Sequence, residues 1–226
     1  MVPGTRLVIL GKQGAGKGTQ AVRIARHYAV PHISTGDMFR AAVRSGSEFG
    51  RKAREFMDAG ELVPDDVVIG LVRERLSQED ARLRGFVLDG FPRTVHQAEA
   101  LDEIEMLPAP GVELVVDLEV PTDVVLKRLA SRRVCIECGT NYSLERPPSD
   151  PETCDVCGGK VVQREDDTVG AIRRRLELYE EQTAPLIAWY LGRDKLVTVD
   201  GVGDPDRVTT RLIRAIDLRL RRGVDA

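Results

Sequence analysis

The chain has 226 residues, a formal net charge of -3, 31% charged residues and 42% hydrophobic residues. That length suits one domain with inserted subdomains, or two small domains, with enough apolar matter for a core. The charge balance excludes a general attraction to nucleic acid or to an anionic membrane, and no apolar run approaches a membrane span.

Met1 to Leu10 is too short, and too soon followed by glycine, for a secretory signal, so a cytoplasmic location is expected. Arg6 to Leu10 (RLVIL) is a short apolar run that stops at glycine and reads as a buried strand. GKQGAGKGTQ follows, then AVRIARHYA with helical spacing. His32 to Ser34 reads as a short second strand, Gly85 to Gly90 as a third, Glu113 to Val120 as a fourth and Lys195 to Gly201 as a fifth. Helical segments are expected over Gly36–Ser45, Ser47–Asp58, Asp65–Gln78, Thr94–Ile104, Thr122–Arg132, Thr168–Tyr190 and Pro205–Arg221. Pro64 and Pro121 sit where helices begin. Alternating strands and helices imply a parallel sheet covered on both faces. Val134 to about Asp167 breaks the alternation with Gly, Pro and Cys, and reads as an insertion.

The segment Gly11 to Thr19 contains G-x-x-x-x-G-K between a strand and a helix. Backbone N–H groups there surround phosphate oxygens, the helix N-terminus adds positive potential, and Lys17 reaches the outer phosphates. The position after the lysine, normally Ser or Thr, is Gly18, with the hydroxyl one later at Thr19. Asp89 ends the third strand, where an open parallel sheet binds ligands, so its carboxylate suits magnesium, directly or through water. These features indicate a nucleotide but not its fate.

All four cysteines lie in the insertion: Cys135, Cys138, Cys154 and Cys157, spaced C-x2-C-x15-C-x2-C. That is zinc-ribbon spacing, and four thiolates form a closed, structural tetrahedral site. Free buried thiols and a redox pair are the alternatives. A redox C-x-x-C normally opens a helix, which this proline-rich context does not suggest. The glycine after each pair lets the chain turn tightly around the sulfurs.

Three further segments carry a family resemblance: STGDMFRAAV (Ser34 to Val43), DGFPRT (Asp89 to Thr94) and GKGTQ. With DAGELVPD, SRRV and TAPLIAWY in the right order, nearly the whole chain resembles adenylate kinase. The resemblance implies magnesium-dependent phosphoryl transfer from ATP to AMP, giving two ADP, usually by a monomer. It implies an α/β P-loop fold: a five-stranded parallel sheet flanked by helices, an inserted helical AMP-binding subdomain and a small zinc-ribbon-like lid. The implied division is a core over 1–33, 64–130 and 168–226, an AMP subdomain over 34–63 and a zinc-bearing lid over 131–167. It assigns Gly14, Ala15, Gly16, Lys17, Gly18 and Thr19 to the ATP phosphates, with Arg128 and Arg132 on the same side. Asn141, Tyr142 and Gly203 fall near the adenine of ATP. Thr35, Arg40, Glu61, Leu62, Val63, Gly90, Phe91, Pro92, Arg93 and Gln97 fall on the AMP side, and Arg164 and Arg175 reach the transferring phosphate. Two positions depart from the family: Gln13 stands where proline is usual, preceded by Lys12. Little loss of function is expected from the first, and no role is assigned to the second.

The residues agree with that chemistry. A phosphate acceptor is already an anion and needs no general base; the reaction needs position and positive charge. His27, His32 and His96 lack a partner pattern and read as surface or packing residues. Arg128 and Arg132, four apart on one expected helix, would share a face. Arg173 and Arg174 read as helix-surface charges. The nearest rival is another nucleoside monophosphate kinase, with UMP, CMP or GMP as acceptor or GTP as donor. Another is a ribbon-bearing nucleic-acid ATPase, but Glu137, Glu145, Asp150, Glu152 and Asp155 against Arg146 and Lys160 would repel a phosphate backbone. A nucleotide-binding scaffold without catalysis is disfavoured by the presence of Lys17, Asp89 and the arginines.

Overall fold

A computed structural model of the chain describes residues 5–104, 111–164 and 167–222. Residues 1–4, 105–110 and 223–226 of the expected core, and 165–166 of the expected lid, lie outside the described residues.

Five strands form one parallel sheet: β1 (Thr5–Leu10), β2 (His32–Ser34), β3 (Gly85–Asp89), β4 (Leu114–Glu119) and β8 (Leu196–Asp200). Their order is β2-β3-β1-β4-β8, and every pairing is parallel. β1 is buried along its whole length, as a run without polar alternation requires. Its side chains alternate between two cores. Val8 and Leu10 pack with Phe86, Leu88, Val115 and helix residues Val72, Leu101 and Tyr190. Leu7 and Ile9 pack with Leu118, Ile24, Leu129, Leu212 and Ile216 on the other face. The helices that close these faces are α1 (Lys17–Tyr28), α4 (Asp65–Ser77), α5 (Glu79–Arg84), α6 (Val95–Asp102), α7 (Thr122–Ser131), α9 (Pro185–Leu191) and α10 (Pro205–Arg222).

The helix pair α2 (Thr35–Arg44) and α3 (Glu48–Ala59) is inserted between β2 and α4, and α8 (Val169–Leu178) packs near α3. Ser34, Ser47, Thr94 and Thr168 cap α2, α3, α6 and α8 by accepting from the N–H three residues on. Pro64 and Pro121 immediately precede α4 and α7, as expected.

Three expectations are corrected. The helix expected over Thr168–Tyr190 is interrupted by a π-helical turn, Tyr179–Thr183. Pro185 has no N–H to give, and the turn before it widens so that Ala184 N reaches Tyr179 O at 2.7 Å. A short helix, α5, follows α4; six residues show no readable period, and it is pinned by the two-pronged Arg75–Asp80 contact at 2.9 and 2.8 Å. Third, α7 ends at Ser131 and Arg132 is already extended, so Arg128 and Arg132 do not share a helix face.

The cysteine-rich insertion forms its own small sheet. β5 (Arg132–Cys135) pairs antiparallel with both β6 (Asn141–Ser143) and β7 (Val161–Val162). Among the described residues, its apolar cluster is Cys135, Cys154 and Val161 with Tyr142 against them. A unit this small needs a staple.

Candidate active site

The parallel strands all end at one edge. β1 runs out at Leu10, Ser34 ends β2, and Asp89 ends β3 in register with Ile9 and Ser34. The turn from β1 into α1 is the phosphate loop, and Gly16, in the left-handed region, forms the N-terminal boundary of the helix. Lys17 folds back over the loop, donating to Gly11 O at 2.6 Å and Lys12 O at 2.9 Å. Burial lowers its pKa to about 8; Asp89 opposes that shift, and Arg93 and Arg132 reinforce it. A Cβ at Gly18 would lie 3.2 Å from Asp89 Oδ2, a tight contact that brings this position against the carboxylate. Asp117 on β4 is a buried neighbour that sequence reasoning missed. Burial, then Glu119, pushes its carboxyl up, while Lys17 and Lys12 pull it down.

Beside the loop opens a cleft of about 1120 Å³, more than one drug-sized ligand fills. Of the residues expected to bind nucleotide, all but Phe91 line it. Phe91 turns its side chain into the core at 1% exposure, which leaves only its backbone for a ligand.

On one side of the cleft, Thr35 Oγ1 donates to Gly90 O at 2.9 Å and Arg93 Nε to the same oxygen at 2.9 Å. Burial, and then Arg175, lowers the pKa of Arg93. Arg40 pairs with Asp37 at 2.5 Å. Gln97 is committed within the protein: Oε1 accepts from Arg93 N at 2.8 Å and Nε2 donates to Asp65 Oδ1 at 2.6 Å. It thereby holds the loop that carries Arg93. Glu61 is bridged by Arg174 at 2.7 Å, so Arg174 is an inter-element tie and not a bare surface charge.

On the other side, Arg128 donates to Ala15 O at 2.9 Å and Gly201 O at 3.1 Å, tying the loop to the end of β8. Arg132 instead binds Asp167 through Nε at 2.7 Å and through Nη2. Asp167 was not singled out in the sequence, because an acidic run reads as a solvated stretch; here its side chain is wholly buried beside Arg132 and Arg175. Arg175 also donates to Met57 O at 2.7 Å, and Arg164 to Asn141 Oδ1 at 3.4 Å. His27 and His96 are exposed, as expected. His32 corrects the expectation: it lines the cleft, with Nε2 3.7 Å from Asp89 Oδ2.

The four cysteine sulfurs lie within 4.8 Å of one another. Cys135 and Cys157 are 3.5 Å apart and Cys138 and Cys154 3.6 Å, too far for a disulfide. Four bonds of about 2.3 Å to one ion set sulfur–sulfur edges of about 3.8 Å, so the cluster fits a tetrahedral metal. Gly139 and Gly158, at φ 74° and 73°, follow the two pairs and let each knuckle close. Tyr142, expected beside adenine, lines the cleft but spends its hydroxyl on the clip. That hydroxyl lies 3.3 Å from Cys154 Sγ and accepts from Asp155 N at 2.9 Å. Its hydrogen bond is the main reason the Cys154 thiol falls to about 6.

Fold and cleft together define a P-loop nucleotide-binding α/β protein in which two insertions face the loop. The family model described as adenylate kinase matches residues 9–195. An adenylate kinase of Moorella thermoacetica is 53% identical over 87% of this chain and 90% of the relative. Those of Thermodesulfovibrio yellowstonii and Archaeoglobus fulgidus are 51% and 50% identical, over 90% and 89% of this chain and 94% and 93% of theirs. The chain belongs to the adenylate kinase family. Among the described residues, no helix is long and apolar enough to cross a membrane.

Proposed function

We propose that the protein transfers a phosphoryl group reversibly from ATP to AMP, giving two ADP. The observation that carries this reading is a single cleft with a phosphate loop on one side and arginines on the other, Arg93 lying within electrostatic reach of both Lys17 and Arg40. Gly14 to Thr19 cradle the ATP phosphates, and Arg128, Asn141, Tyr142 and Gly203 flank the rest of that nucleotide. Thr35, Arg40, Glu61 to Val63, Gly90 to Arg93 and Gln97 form the AMP side.

An AMP phosphate oxygen attacks the γ-phosphorus in line; the bond to the β-phosphate oxygen breaks, and ADP leaves. The nucleophile is already anionic, so no side chain need take a proton. His32 beside Asp89 is therefore not required as a base. Lys17, Arg93, Arg132, Arg164 and Arg175 offset the charge that spreads over the transferring group. Asp89 faces the loop with hard oxygen donors that suit magnesium, held directly or through water. Magnesium, when bound, neutralises phosphate charge and helps align the reacting oxygens.

The functional units are a core over 1–33, 64–130 and 168–226, an AMP subdomain over 34–63 and a lid over 131–167. The lid excludes water, which would otherwise take the phosphoryl group; the handling of water by such lids is a recognised feature of adenylate kinase. Cys135, Cys138, Cys154 and Cys157 hold a structural zinc that supplies the folding energy the lid's small core lacks. A reduced thiolate clip suits the cytoplasm, and we take the working form to be a monomer.

The test is incubation with Mg·ATP and, separately, AMP, CMP, UMP and GMP, following diphosphates by chromatography. Fast ADP formation with AMP alone is expected. Turnover with another monophosphate would overturn the acceptor assignment, and acceptor-independent hydrolysis would overturn the kinase reading.

A further inference from the structure

Two side chains of the loop, those of Lys12 and Gln13, stand outside the nucleotide set, and both reach across to other elements. Lys12 Nζ donates to Thr122 Oγ1 at the start of α7 and pairs with Glu180 in the π-turn, each at 2.9 Å. Gln13 Nε2 donates to Asp167 Oδ1 at 3.1 Å. The same carboxylate accepts from Arg132 Nε at 2.7 Å, and Arg175 Nη1 lies 4.0 Å from it. A side chain of the phosphate loop thus touches the carboxylate that orients two arginines of the cleft.

The direction of the amide follows from chemistry. A carboxylate only accepts, so the NH2 end of Gln13 faces Asp167. That leaves Gln13 Oε1 buried and without a partner among the described residues. A buried acceptor without a partner costs stability. Proline, or any residue that served only to stiffen the loop, would avoid that cost. The amide is also neutral. It fixes the carboxylate without cancelling its charge, so Asp167 keeps its full attraction for Arg132 and Arg175.

We propose that Gln13 is a positioning residue for phosphoryl transfer: through Asp167 it holds Arg132 and Arg175 in register with the phosphate loop. The inference rests on the kinase reading above. It assigns Gln13 no contact with the reacting atoms; Gln13 acts on where the guanidinium groups stand when they meet the phosphate.

The test compares wild type with Gln13→Ala, Gln13→Pro and Gln13→Glu, measuring kcat and both KM values across pH, with circular dichroism as a check on folding. Gln13→Ala is expected to lower kcat about tenfold, the scale of one hydrogen bond to a charged group, with the KM for ATP moving by less than about twofold. Gln13→Pro is expected to be no better than alanine, since stiffness does not replace the amide. Gln13→Glu sets a second carboxylate against Asp167. Two carboxylates in contact favour protonation of one of them, so the ratio of Gln13→Glu to wild-type kcat rises as pH falls. Wild-type kcat in Gln13→Ala, recovery in Gln13→Pro, or a Gln13→Glu defect equal at every pH overturns the inference. The wild-type control separates the two readings. If wild type makes no AMP-dependent ADP, the kinase reading fails; if it does and the variants match it, only this inference fails.

Discussion

Lys17 sits against the carbonyls of Gly11 and Lys12 in an enclosed position, and burial takes its pKa from 10.5 to about 8. A base with a depressed pKa is charged below about pH 8 and increasingly neutral above it, whereas bound phosphates favour the charged form. Nucleotide binding is therefore expected to take up a proton above about pH 8 and almost none near pH 7, and ATP affinity should weaken as pH rises past 8. Calorimetry in two buffers of different ionisation enthalpy measures that proton directly. Arg93 gives a second prediction. Its Nε donates to Gly90 O at 2.9 Å, a bond that a lysine ammonium on a flexible stem does not reproduce in that geometry. Arg93→Lys should raise the KM for AMP by at least about tenfold while the melting curve stays close to wild type.

Among the elements, the cysteine-bearing sheet has an apolar cluster of three buried residues and Tyr142, too small to fold on packing alone. Treating the protein with a chelator, or changing Cys157 to serine, is expected to loosen this unit first. Proteolysis should then cut between about residues 136 and 160 while the parallel sheet persists. Loss of turnover with melting and proteolysis unchanged would argue instead for a metal in the chemistry. The π-turn makes a separate prediction. Thr183 is buried and donates to Arg93 O at 2.9 Å, so the widened turn anchors the loop that carries Arg93. Thr183→Val keeps the shape but orphans that carbonyl, and should cost about 1–3 kcal/mol in urea unfolding.

At the level of the whole molecule, one sheet serves two cores. Leu88 lies in the core with Val72 and Tyr190, and Leu118 in the core with Leu129 and Leu212. Both are essentially unexposed. Alanine at either should destabilise by about 2–5 kcal/mol. Because the cores share the strands between them, both variants should still unfold the sheet in a single transition, visible as a shifted urea midpoint at unchanged slope. Leu88→Ala should also weaken nucleotide binding, since Leu88 precedes Asp89 on the strand that presents it. The same long-range order places contacts between distant elements: Arg174 with Glu61, Arg146 with Asp204, Gln13 with Asp167. None of these pairs is close in sequence, and none carries a local signal.

The sequence by itself determined what depends on near neighbours. Short runs between turn residues read as the five parallel strands, Pro64 and Pro121 marked helix starts, the G-x-x-x-x-G-K loop read as a phosphate site, and two C-x-x-C pairs read as a metal clip. These are short-range rules of sterics and hydrogen bonding, legible in a few residues. Tertiary structure decided the rest. Arg132 left its helix for a strand because β5 pairs with β6 and β7. Phe91 turned into the core, and Tyr142 spent its hydroxyl on the cysteine clip. Asp167 and Gln13, 154 residues apart, met because burial brings together polar groups from distant elements. Which donor finds which acceptor depends on how distant elements pack, and that information is carried by the whole chain, not by any stretch of it.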